Sequence, residues 1–225
     1  MRGYPAQDRA AWGPRVTSIA TLVFVALVGY AIGSISSGYL VGKIYRNVDL
    51  RTVGSGSTGA TNTFRTLGTG AGLLVALLDI LKGSLAVVFA QLVFPEGSGT
   101  RAVAEAVAAV CAVAGHCWPI TLQGRGGRGV ATGFGALLFV ATPAWASAVA
   151  FFAIAVAVTR MVSVGSLASV IGALAGYLLF SATGWLTFNW ATLAFIVVAG
   201  AFVFIRHRAN IERIIRGVEP RVGTS

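Results

Sequence analysis

The sequence predicts an all-α polytopic membrane protein of about seven transmembrane helices, forming one membrane domain over residues 1–225. Three observations carry that prediction. The chain is 56% hydrophobic and 11% charged, with mean hydropathy +0.81, whereas soluble domains hold about 45–50% apolar and about 25% charged residues. Apolar runs recur along the whole length and leave no polar stretch large enough for a separate domain. With the N-terminus outside, the predicted loops distribute their basic residues asymmetrically. Twelve fall inside (Lys43, Arg46, Arg51, Arg65, Arg125, Arg128, Arg160, Arg206, Arg208, Arg213, Arg216 and Arg221) and four outside (Arg2, Arg9, Arg15 and Arg101), as the positive-inside rule requires.

The runs read as 16–45, 70–93, 102–122, 129–142, 145–159, 165–183 and 190–205. The first is longer than a signal peptide's apolar region and lacks a clear cleavage site, so it reads as a retained span behind a short external segment, 1–15. Phe94-Pro95-Glu96-Gly97 closes the second, and Pro143 separates a short fourth from the fifth; merging those two would give six. Cys111 and Cys117 lie in or beside one span and read as reduced, packed thiols, with no disulfide or zinc spacing. The net charge of +10 comes without a soluble recognition element, so nucleic acid is not an expected partner. Membrane lipids and anionic ligands are.

Four segments rich in glycine, hydroxyl groups or arginine fall on the same, inside face, which points to one site assembled from them. In "VGSGSTGATNTFRTLG", Gly54, Gly56 and Gly59 alternate with Ser55, Ser57, Thr58, Thr61 and Asn62, and Arg65 follows. Such a stretch can turn N–H groups inward as an anion nest, and a helix beginning near Ala60 would add its dipole. Asn62 and Arg65, three apart, would share a helix face; a plain flexible loop has no need of them. A Walker loop is excluded, because no lysine follows these glycines.

The second segment, "TLQGRGGRGVAT", places Arg125 and Arg128 among Gly124, Gly126, Gly127 and Gly129. Arginine can fork onto phosphate oxygens, and glycine lets backbone approach a ligand. His116, just before this loop, reads as a packed residue rather than a catalyst. "TRMVSVGS" offers Ser163 and Ser166, and the tail offers His207 and Asn210 on one helix face. Its arginines alone read as lipid anchors. Asp79 and Lys82 stand three apart within a span, where ionisable residues pair. No loop carries a carboxylate resembling a general base; Asp49 comes nearest. Such a site should hold phosphorylated substrates and act by positioning and charge stabilisation. No metal or cofactor is expected.

"GSISSGYLVGK", "GSGSTGATNTFR", "DILKG", "GHCWPITLQGRGGRGVAT", "TRMVSVGS" and "HRANIERIIRG" stand in the order and spacing of the PlsY family, and the chain resembles it over about residues 30–217. The resemblance implies a seven-helix, multi-pass enzyme of the bacterial plasma membrane with its active site facing the cytoplasm. Such enzymes move an acyl chain from acyl phosphate to the sn-1 hydroxyl of glycerol 3-phosphate, giving lysophosphatidic acid and phosphate. An acyl-phosphate-forming enzyme is then an expected partner. By position, the resemblance makes Ser55, Arg128, His207 and Asn210 catalytic. It places Arg65 at the glycerol 3-phosphate phosphate, and beside it the residues singled out above in the same segments, Gly54, Gly56, Asn62, Arg125, Gly126, Gly127, Ser163 and Ser166, are expected to bind substrate. No protein base is implied; a substrate phosphate oxygen accepts the hydroxyl proton.

The chain departs from the family pattern at Arg125 and Arg128, where lysines are usual, and at Ser57-Thr58, where Asn-Pro or a close variant is usual. Two alternatives therefore stand beside the acyltransferase: a PlsY-like paralogue with a changed acceptor, and a non-catalytic protein that binds or transports a phosphorylated lipid precursor. A transporter would show inverted repeats with broken helices at the midplane, whereas these motifs gather on one face.

Overall fold

The computed structural model describes residues 19–223, all helix and loop. The external segment 1–15 and the start of the first run lie outside the described residues. The helices are α1 (Ile19–Ser34), α2 (Ser37–Arg46), α3 (Ala60–Leu67), α4 (Thr69–Val93), α5 (Arg101–Cys117), α6 (Val130–Val140), α7 (Thr142–Thr159), α8 (Val162–Ala182), α9 (Trp190–Arg206) and α10 (Arg208–Ile215), with a 3-10 turn at Ile120–Leu122.

Each predicted apolar run becomes helical, but not every one has the length to cross a bilayer. Five are long and apolar enough: Ile19–Arg46, Thr69–Val93, Arg101–Leu122, Thr142–Thr159 and Val162–Ala182; a sixth results if α9 and α10, bent by 60° at their junction, count as one. α6 has 11 residues, about 16 Å at the helical rise, against the roughly 20 residues a span needs. It stops at Ala141 (φ −155°) because Pro143, in the first turn of α7, has no N–H to continue the ladder.

Lipid-facing and inward-facing stripes are plain on α4. Leu73, Leu77, Leu81 and Leu85 are exposed at four-residue intervals, while Val75, Asp79, Lys82, Ala86, Val87 and Ala90 are buried. In lipid, helices associate through small residues that let backbones close. Gly33 on α1 meets the Ala112 carbonyl of α5, and Gly135 on α6 meets the Ile80 carbonyl of α4, so closely that a Cβ at either would overlap the facing backbone. The α8–α7 pair is built the same way. Trp185, Phe188 and Trp190 stand exposed around the α8–α9 turn, the aromatic belt expected where a helix pair leaves the hydrocarbon.

The first run is broken. α1 ends at Ser34 and α2 begins at Ser37, and the freed Ile35 carbonyl accepts from Lys82 Nζ at 2.9 Å. Lys82 also pairs with Asp79 at 2.8 Å, and His116 Nδ1 on α5 lies 3.5 Å from the same carboxylate oxygen. This buried triad ties three helices together beneath the polar loops. The expected pairing of Asp79 with Lys82 is therefore present, and the break gives it a second structural task.

Candidate active site

The loop between α2 and α3 is shaped by Asn62. From the first turn of α3 its Nδ2 shares two hydrogens among the carbonyls of Leu50 (3.2 Å), Val53 (3.1 Å) and Ser57 (2.9 Å), and its Oδ1 accepts from Ser55 N (2.9 Å). Gly54 (φ +58°) and Gly56 (φ +69°) adopt the left-handed conformation that glycine alone takes without strain. The effect is to fix Ser55 at the wall between two cavities. Asn62 thus gives its amide to the loop backbone while one edge still lines a cavity. Arg65 is exposed and reaches the Pro220 carbonyl at 3.5 Å. Asp49 is locked by Arg51, with Nη2 to Oδ2 at 2.7 Å; that guanidinium holds its carboxyl down at about 2.

The glycine-rich loop divides its work. Gly126 and Gly127 are buried against α5: a Cβ on Gly126 would overlap the His116 carbonyl, and one on Gly127 the His116 ring. Gly127 N donates to His116 O at 3.0 Å. Their carbonyls accept from Arg206, Nε to Gly127 O at 3.0 Å and Nη2 to Gly126 O at 2.9 Å, and Arg206 lies 5.8 Å over the Trp118 ring. His116 is therefore a packed residue supporting the loop. Arg206, read from sequence only as a lipid anchor, clamps the loop to the end of α9. Arg125 points to the exterior, whereas Arg128 lies between the two cavities. Burial acts first on Arg128 and lowers its pKa; Glu219 opposes, and Arg213, Arg65 and Arg206 lower it further, to about 10. The group stays protonated at neutral pH in a neighbourhood short of negative charge.

His207 occupies the bend between α9 and α10 and is buried. Its Nδ1 lies 2.8 Å from Val203 O. A carbonyl only accepts, so Nδ1 carries the proton and Nε2 is the nitrogen left for a ligand. Asn210, one turn further, donates from Nδ2 to Glu219 Oε1 at 2.6 Å. Ser166 lines one cavity and donates to Val162 O at 2.9 Å; Ser163 is buried beside Glu219. Glu219 is a site residue that sequence reasoning misses, although a carboxylate next to Pro220, one of only two acids (with Glu212) in a tail of five arginines, is a visible signal.

Two cavities result. One, of about 330 Å³, is arginine-rich: Ser55, Gly56, Ser57, Arg128, Arg206, Arg208, Asn210 and Arg213 line it with Trp118, Ile205 and Ala209. The other, of about 270 Å³, shares Ser55, Ser57 and Arg128, takes in His207 and Ser166, and continues between Ala76, Ile80, Phe134, Phe152 and Val162. From its edge at Gly129, Val130 and Phe134 an apolar cleft runs between α6, α8 and α9 past Gly133, Leu137, Ala173, Ile196 and Ala199. Of the expected site residues, Ser55, Arg128, His207, Asn210, Gly56, Asn62 and Ser166 meet around these cavities, whereas Gly126 and Gly127 pack behind them and Arg65 and Arg125 lie outside.

The family model described as glycerol-3-phosphate acyltransferase matches residues 23–217. The chain belongs to that family. It is 40% identical over 205 residues to the glycerol-3-phosphate acyltransferase of Synechococcus sp. (strain CC9902), covering 91% of this chain and 96% of the relative. It is 38% identical over 205 residues to that of Clostridioides difficile (strain 630), covering 91% and 97%. Among solved structures it is similar to PlsY (YgiH), an integral membrane glycerol 3-phosphate acyltransferase. The glycerol 3-phosphate form superposes with TM-score 0.80 at 33% identity, over 91% of this chain and 96% of that one. The lysophosphatidic acid form gives 0.78 at 32% identity over the same shares.

Proposed function

We propose that the protein transfers a fatty acyl group from acyl phosphate to the sn-1 hydroxyl of glycerol 3-phosphate, at the cytoplasmic face of a bacterial plasma membrane. One observation carries the reading: an arginine-rich cavity and a partly apolar one meet at Ser55, Ser57 and Arg128. The first suits a small, doubly charged polyol phosphate. The second, with its cleft between α6, α8 and α9, suits an acyl chain whose phosphate end sits beside the same arginine.

In the reaction the sn-1 oxygen attacks the acyl carbonyl carbon, a new C–O bond forms, and the C–O bond to phosphate breaks. The hydroxyl proton leaves with the released phosphate. No side chain needs to act as base. Asp49 is tied to Arg51, Asp79 to Lys82 and Glu219 to Arg213, while two phosphates brought together supply acceptor oxygens. The protein contributes alignment and charge. Arg128 offsets part of the charge on both phosphates and on the developing oxyanion, the Ser55 hydroxyl can donate and the unprotonated His207 Nε2 can accept a hydrogen bond at the junction, and Asn210 holds the acceptor. An acyl-phosphate-forming enzyme is the partner that would supply the donor.

The test is acyl transfer by purified protein in detergent or lipid mesophase, with labelled glycerol 3-phosphate and either palmitoyl phosphate or palmitoyl-CoA. Lysophosphatidic acid is expected from the phosphate donor alone. No product from either donor, with glycerol 3-phosphate still bound, would overturn the assignment in favour of a changed acceptor or a non-catalytic binder.

The cleft makes a second prediction. A Cβ on Gly133 meets nothing within 4 Å, so a larger side chain there fills the cleft without disturbing α6. Gly133→Leu is expected to lower kcat/KM for palmitoyl phosphate about tenfold or more relative to a ten-carbon acyl phosphate, since each methylene kept out of the apolar cleft forfeits roughly 0.8 kcal/mol. An unchanged ratio would place the chain elsewhere.

A further inference from the structure

Beyond α10 the chain turns back as a strap. Val218 N donates to Arg213 O at 2.9 Å, and Val222 N donates to Arg160 O, at the α7–α8 turn, at 2.7 Å. Between these anchors Glu219 is 5% exposed. One carboxylate oxygen accepts from Asn210 Nδ2 at 2.6 Å and the other from Arg213 Nε at 2.7 Å, so the carboxylate is held from two sides and its position is fixed. Burial favours the neutral acid, but Asn210, Ser163 and Arg213 around it outweigh this and lower its pKa. It is therefore ionised at neutral pH and can only accept hydrogen bonds.

An acceptor-only partner removes the ambiguity of an amide. Asn210 must turn Nδ2 toward Glu219, which leaves Oδ1 on the other side. Asn210 is 2% exposed and lines the arginine-rich cavity, and its Oδ1 has no hydrogen-bond partner. A buried acceptor left unpaired calls for a donor, and the group that enters this cavity should bring one. The phosphate of a polyol phosphate brings acceptors; its hydroxyls bring donors. The sn-1 proton must depart during transfer and an amide oxygen is too weak a base to take it, whereas the sn-2 hydroxyl keeps its proton throughout.

We infer that Glu219 is a positioning residue that orients the Asn210 amide so that Oδ1 accepts a hydrogen bond from the sn-2 hydroxyl of the acceptor, making the pair a reader of that hydroxyl. The inference rests on the proposed function and deepens it. It gives the strap beyond α10 a role in acceptor choice.

Dihydroxyacetone phosphate is the discriminating probe, because it retains the phosphate and the sn-1-type hydroxyl but carries a carbonyl, an acceptor, at C2. The wild-type protein is expected to prefer glycerol 3-phosphate by about 10- to 100-fold in kcat/KM, the usual cost of leaving a buried acceptor unpaired. In Glu219→Gln the side chain keeps its shape, but its amide pairs with Asn210 in either orientation. The preference should then shrink to within about threefold. The ratio of two substrates on one preparation does not depend on how much of the protein is folded. A purely structural role would therefore lower both activities in parallel and leave the ratio intact, which would overturn the inference, as would equal use of the two acceptors by the wild type. Kd values for the two phosphates, measured by calorimetry on wild type and Glu219→Gln, give the same ratio without turnover. Selective binding without acyl transfer would sink the transferase reading and keep this one; transfer without selectivity would do the reverse.

Discussion

Arg128→Ala should reduce acyl transfer by about three orders of magnitude, toward the upper end of what removing one charge-stabilising donor from an active site costs. Arg128 is the one guanidinium that lines both cavities, and among the described residues no ion pair within 4 Å engages it. Its pKa is pushed down to about 10 by burial and by three neighbouring arginines, so the site holds uncompensated positive charge that an anion would relieve. Removing the side chain would leave two phosphates facing each other at the junction. Arg128→Lys keeps the charge but replaces a planar fork with a compact point donor, and is expected to retain activity within about tenfold or to raise it. Steady-state kcat/KM with palmitoyl phosphate and glycerol 3-phosphate reads both variants. Equal activity in wild type, alanine and lysine proteins would remove Arg128 from the mechanism.

The second large effect concerns stability. Asp79→Ala is expected to destabilise the fold by about 3–5 kcal/mol, the usual cost of removing one partner of a buried ion pair. Lys82 would keep its charge at 5% exposure, with the Ile35 carbonyl as its remaining partner at 2.9 Å. The double variant Asp79→Ala, Lys82→Met should recover part of that loss, because no buried charge is left uncompensated. The recovery should be incomplete, since the Ile35 carbonyl then loses its donor, at about 1–3 kcal/mol. Thermal unfolding of detergent-solubilised protein ranks the wild type, the single variants Asp79→Ala and Lys82→Met, and the double variant. A double variant as unstable as the sum of the two single ones would show that Asp79 and Lys82 do not act as a pair.

How much of this was legible in the sequence depended on the range of the interaction. The apolar runs and the start of α3 at Ala60 follow from local pattern, as does the Asp79–Lys82 pair, because residues three apart on one helix meet whatever the fold. The break at Ile35 was less visible, since Gly33-Ser34-Ile35-Ser36-Ser37-Gly38 sits inside a run that reads as continuous. What allows the break is Lys82, forty-seven positions away. The same limit hid the roles of Arg206 and Glu219. A guanidinium in a basic tail looks like a lipid anchor until Gly126 and Gly127 are placed against it. A carboxylate nine residues after Asn210 looks like ordinary tail until the strap turns back. Because glycine permits close approach, Gly126 and Gly127 look ligand-facing in the sequence; the structure shows that the approach is to His116.

The strap also bears on the order in which the site is completed. Glu219 follows every described helix, so the helices can pack in the bilayer before the strap docks on them. Until it docks, the Asn210 amide is free to turn over and the arginine cluster lacks its nearby carboxylate. The membrane scaffold can thus be in place before the site is selective.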